Sequence, residues 1–146
     1  RILWILNHLK EATLQDITIL TVQDESYVKP ELSKLIENHI IYKDKENYII
    51  CKKQTEFNFD RPTMESILDK WKEFLHDDFQ TYIIDEIIKA ISITNIQLIE
   101  NIDDAEEEDL DSALEELIED YGIVVQCEYE DENWYTFNNI LISLNK

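Results

Sequence analysis

Apolar residues recur along the chain with two different periods, and the order of those periods is repeated. Ile2, Ile5, Leu6 and Leu9 stand at i, i+3, i+4 and i+7, one face of a helix. Leu14, Ile17 and Leu20 predict a second short helix capped by Thr13, and Leu32, Leu35 and Ile36 an inward face on a third. Pro30 suits the first turn of that third helix, where its missing N–H costs nothing. The period then drops to two. Ile40–Tyr42 and Tyr48–Cys51 read as strands around the turn Asp44-Lys45-Glu46-Asn47.

Sliding the chain by 82 residues superposes this pattern on itself without a gap for about forty residues. Ile84, Ile87, Ile88 and Ile91 take the places of the first helix, and Ile96, Ile99 and Ile102 those of the second, with Thr94 as its cap. Leu110 falls on Val28. Leu114, Leu117, Ile118 and Glu119 fall on Leu32, Leu35, Ile36 and Glu37, so the string L-x-x-L-I-E occurs twice. Gly122 serves as a C-terminal stop. Strands over Ile123–Tyr129 and Trp134–Phe137 enclose Glu130-Asp131-Glu132-Asn133. Between the repeats, Met64, Ile67, Leu68, Trp71, Phe74 and Leu75 keep helical spacing after Pro62 and predict an amphipathic linking helix.

The expected fold is mainly α with small β-hairpins, in the α+β class. It comprises repeat 1 over 1–53, a linker with an amphipathic helix over 54–79, and a strongly acidic repeat 2 over 80–146. Three helices followed by a hairpin, with the L-x-x-L-I-E-then-strand junction, resemble the winged-helix superfamily over nearly the whole chain, in tandem. With its acidic surface the arrangement is similar to the segregation and condensation protein B family, bacterial partners of the kleisin subunit in chromosome-organising complexes. Tandem modules of this type also occur in transcription-machinery subunits and endosomal sorting complexes. The resemblance is one of architecture and assigns no functional residue.

Composition narrows the function. The 146 residues are 44% hydrophobic and 32% charged, a globular balance, and no apolar run approaches the roughly 20 residues of a membrane span. One glycine is too few for a phosphate-cradling loop. His8, His39 and His76 lack zinc spacing, and no serine lies in a nucleophile-elbow context, so neither a metal, a cofactor nor an enzyme is expected. Cys51 and Cys127 read as small buried hydrophobes in strands, with a reducing cytoplasm as the default location. The chain opens on Arg1 at the edge of an apolar-periodic segment, which suggests a piece of a longer protein.

Charge is divided unequally. Residues 1–72 hold 11 basic and 12 acidic residues, and residues 73–146 hold 2 and 21, within a formal net charge of −20. Asp103, Asp104, Glu106, Glu107, Glu108 and Asp109 form the densest run. It lacks the glycine and the alternation of a calcium loop and reads first as a solvated loop and helix start, or as a docking patch for a basic partner. Four readings follow. The leading one is a non-enzymatic protein-interaction module of a DNA-associated assembly, with Trp71, Phe74, Trp134 and Tyr135 as candidate anchors. The second is a DNA-binding regulator that uses Lys29, Lys34, Lys43, Lys45, Lys52 and Lys53 of repeat 1. The third is an acidic DNA mimic, and the fourth an accessory domain of a large ATPase or defence protein.

Overall fold

The computed structural model describes residues 2–51 and 63–144, so Lys52, Lys53 and Pro62 lie outside the described residues. The chain forms two compact units, 1–63 and 64–146. It is mainly helical with two small antiparallel three-stranded sheets.

In the first unit α1 (Ile2–Leu9), β1 (Glu11–Thr13), α2 (Leu14–Thr21) and α3 (Glu25–Glu37) precede β2 (Ile41–Asp44) and β3 (Asn47–Ile50). The sheet order is β1-β3-β2. Ile2, Leu6, Ala12, Ile17, Val28 and Leu32 form its core, closed by Ile41 and Tyr48. The second unit begins with α4 (Met64–Leu75), then α5 (Asp78–Ala90), β4 (Ile93–Thr94), α6 (Asn95–Asn101) and α7 (Glu107–Glu115). A π turn (Glu116–Asp120) leads to β5 (Val124–Tyr129), β6 (Glu132–Phe137) and α8 (Asn139–Ser143), with sheet order β4-β6-β5. From α1 and from α5 onward, the two units therefore share one element order and one sheet topology.

Local chemistry explains the shared frame. Thr13 and Thr94 each close a reciprocal capping box, the hydroxyl accepting from the N–H of Asp16 or Gln97 and that side chain accepting from the threonine N–H. The short strand before each box, unforeseen in the sequence, adds a third strand to each hairpin: Ala12 faces Tyr48 and Ile93 faces Tyr135. Two or three residues are too few to show a period.

The gapless shift of 82 does not hold throughout. Left-handed Lys10 and Ile91, and the capping threonines, are 81 apart; Val28 and Leu110 are 82 apart; left-handed His39 and Gly122 are 83 apart. The acidic loop before α7 absorbs one residue. The π turn absorbs the second, with the Tyr121 N–H donating to the Glu116 carbonyl at 3.2 Å. Hence Leu98 rather than Ile99 fills the position of Ile17, and Ile96, shifted onto the place of exposed Gln15 instead of Leu14, is 61% exposed.

Four further expectations change. Pro30 lies inside α3, which starts at Glu25 with Asp24 as its cap, so the helix forgoes the bond Pro30 would donate. Ile36 is exposed rather than inward-facing. Cys51 and Cys127 are free and exposed, because Cys51 follows β3 and Cys127 sits on the part of β5 that extends beyond the core. The helix read as a linker belongs to the second unit, where it packs on α5.

That packing includes an ion pair. Lys72 Nζ donates to Asp85 Oδ1 at 2.8 Å and stands 3.5 Å from Asp69 Oδ1. The bond to Asp85 is the main reason the Lys72 ammonium titrates above its ordinary 10.5, against the opposing effect of burial. Burial likewise raises the Tyr135 phenol above 10.0. Both groups hold their protons more tightly when folded, so their contribution is fully present below the unfolded values and is lost as pH rises through the folded ones. The urea midpoint is therefore expected to fall above about pH 10, and less steeply in Lys72→Met/Tyr135→Phe. An identical decline in the double variant would show that neither group carries the effect.

Candidate functional site

The residues singled out in the sequence gather in three places within the second unit and one in the first. Trp71 projects from α4 into the interior and is only 3% exposed. It meets Phe74 edge-on at 5.5 Å and Tyr121 at 5.3 Å, and Phe74 meets Tyr121 at 6.0 Å. Burial removes Trp71 as a docking anchor. Phe74, half exposed at the rim of this cluster, keeps a free face. Tyr121 was not anticipated. Its place just before Gly122, after the L-x-x-L-I-E string, was the available signal, and the π turn is what swings it onto α4's aromatic rings. Its hydroxyl donates to Glu116 Oε1 at 3.2 Å.

Trp134 and Tyr135, neighbours on β6, point to opposite faces of the sheet. Tyr135 is 5% exposed, and burial, the neighbouring Asn95 and Asp111 all influence its phenolic proton. It serves the core and is not an exposed anchor. Trp134 is half-buried, paired with Thr94 on one side and Cys127 on the other, and its indole N–H is buried without a hydrogen-bond partner among the described residues. A hollow of about 150 Å³ is lined by Thr94, Asn95, Ile96, Glu132 and Asn133. No three His, Cys, Asp or Glu side chains among the described residues are arranged to hold a metal ion.

The acidic candidates all lie at the surface. Asp103 and Asp104 are in the loop before α7, with Asp104 left-handed at φ 61°, and Glu106 is the residue preceding the helix. Glu107, Glu108 and Asp109 fill the first turn, where their charge complements the helix dipole. Asp111 and Glu115 continue along the exposed side of α7, and Glu128, Glu130, Asp131 and Glu132 cover the hairpin. From residue 90 to residue 145, 56 consecutive positions hold 16 carboxylates and no Lys, Arg or His. The second unit as a whole carries 23 acidic against 4 basic residues, a net of −19, and the first unit 10 against 9.

The described lysine candidates of the first unit, Lys29, Lys34, Lys43 and Lys45, are exposed but partly engaged. Lys29 pairs with Glu25 one turn earlier on α3, and Lys43 lies over the Tyr48 ring at 5.5 Å. Tyr27, Glu31, Lys34 and Asn38 share the outer face of α3, and Lys45 occupies the hairpin turn at φ 56°.

Compared with known proteins, the chain matches no protein-family model, no curated protein and no solved structure. No helix among the described residues is long and apolar enough to cross a membrane.

Proposed function

We propose that this chain is a non-enzymatic protein-interaction module made of two winged-helix-like units, an accessory part of a larger DNA-associated assembly, and that its second unit holds a basic protein partner. The cation-free stretch of 16 carboxylates, nine of them on α7 and the β5–β6 hairpin, is the observation that supports this reading. In a nucleic-acid-binding winged helix those two elements meet the groove and the phosphates. Carboxylates there repel a phosphate backbone, whereas a lysine- or arginine-rich protein surface gains from the same charges.

Carbodiimide joins carboxylates to lysines only where they touch. In an extract of the native host, cross-links from the full chain are expected to run from Glu107, Glu108, Asp111, Glu115 and the hairpin acids to lysines of one partner. Cross-links spread equally over Asp16, Glu31 and Asp44 would overturn the assignment. The exposed face of α3 with Lys34, and Lys45 beyond it, favours a second reading in which the first unit touches DNA. Anisotropy of a labelled duplex at low salt tests it. Binding that vanishes in Lys34→Glu/Lys45→Glu would establish that reading, and no binding would remove it.

A further inference from the structure

A strand at the rim of a sheet turns alternate pairs of N–H and C=O groups away from its neighbour. β5 is such a strand, paired among the described residues with β6 alone. The hairpin turns through two residues, Glu130 and Asp131, at φ 52° and 65°, which makes Tyr129 and Glu132 a hydrogen-bonded pair. Alternation then places Glu128 and Gln126 at non-bonded pairs, with their backbone groups directed outward. Both residues are exposed, and no described group bonds them from the open side.

Edges of this kind are ordinarily blunted by a lysine, a proline or a bulge. In the first unit β2 is four residues long and carries Lys43 at the corresponding outward position, one step from the turn-closing pair Asp44 and Asn47. β5 is six residues long, Val-Val-Gln-Cys-Glu-Tyr, in unbroken register without lysine, proline or bulge, and its one charged side chain is the acidic Glu128. A second copy of the chain is a poor occupant, since antiparallel pairing of two β5 edges would bring together hairpins that each bear Glu128, Glu130, Asp131 and Glu132 on a unit of net charge −19. The charges therefore disfavour the chain's own kind and admit a strand of opposite sign.

We infer that the β5 edge captures an extended lysine- or arginine-rich segment of a partner protein as a fourth strand. Its backbone bonds Gln126 and Glu128, the cations on its alternate residues face Glu128 and the carboxylates of the hairpin tip, and its intervening apolar side chains lie on the opposite face of the sheet along Tyr129, which is 64% exposed. The inference rests on the proposed docking of a basic protein to the second unit and specifies how that docking is made.

The test uses the full chain and a labelled peptide of about eight alternating lysines and valines, the length of an ordinary strand. A second peptide of the same sequence, methylated at every backbone nitrogen, keeps the charge and loses the donors. At low salt the first is expected to bind at least tenfold more tightly than the second, to slow amide exchange at Gln126 and Glu128, and to weaken in Glu128→Lys. Equal affinities with unchanged exchange would overturn strand capture and leave the acidic docking surface standing. Failure of both peptides to bind would overturn both.

Discussion

Trp71→Ala is expected to cost the second unit about 3–5 kcal/mol, the range for emptying a buried aromatic site. The ring is 3% exposed and edge-packed on Phe74 and Tyr121, so its removal leaves two aromatic side chains facing a void that α4 and the π turn cannot close together. Phe74→Ala, at a side chain 46% exposed, is expected to cost about 1 kcal/mol, because solvent already reaches half of it. Guanidinium denaturation followed by far-ultraviolet circular dichroism separates the two. If Trp71→Ala proved milder than Phe74→Ala, the indole would be a surface anchor after all.

The second large effect concerns register. Leu98→Ala is expected to destabilise by about 2–5 kcal/mol, while Ile96→Ala, two residues earlier, stays within about 0.5 kcal/mol. Leu98 is fully buried and Ile96 is 61% exposed, although the sequence pattern alone places Ile96 inside. A larger loss from Ile96→Ala than from Leu98→Ala would restore the shift of 82 residues through α6.

Much of the fold was legible because it is written in residues with a single local meaning. Thr13 and Thr94 are followed three positions later by Asp16 and Gln97, which can complete a cap, and Gly122 can stop a helix at φ 71°. The hairpins followed from strand-forming residues around acidic turns. What escaped reading depended on residues that tolerate an unfavoured state. Lys10, His39 and Ile91 take left-handed conformations that glycine would advertise, in a chain with one glycine. Ile96 and Leu98 are equally apolar, and only the one-residue change of frame decides between them. The acidic surface was visible as composition. The open edge of β5 was not, because it depends on which strand lies at the rim, a property of sheet order.

The stretch without cations also has a kinetic consequence. A surface of one sign draws an oppositely charged partner from a distance, so its encounter rate rises as ionic strength falls. Backbone bonds along a strand are short-ranged and govern departure instead. Under the proposed strand capture the two functions would rest on different atoms: the carboxylates of α7 and the hairpin tip would set how often a partner arrives, and the amides and carbonyls of Gln126 and Glu128 chiefly how long it stays. Salt would then shorten the queue of arriving partners while leaving the dwell time of each nearly untouched.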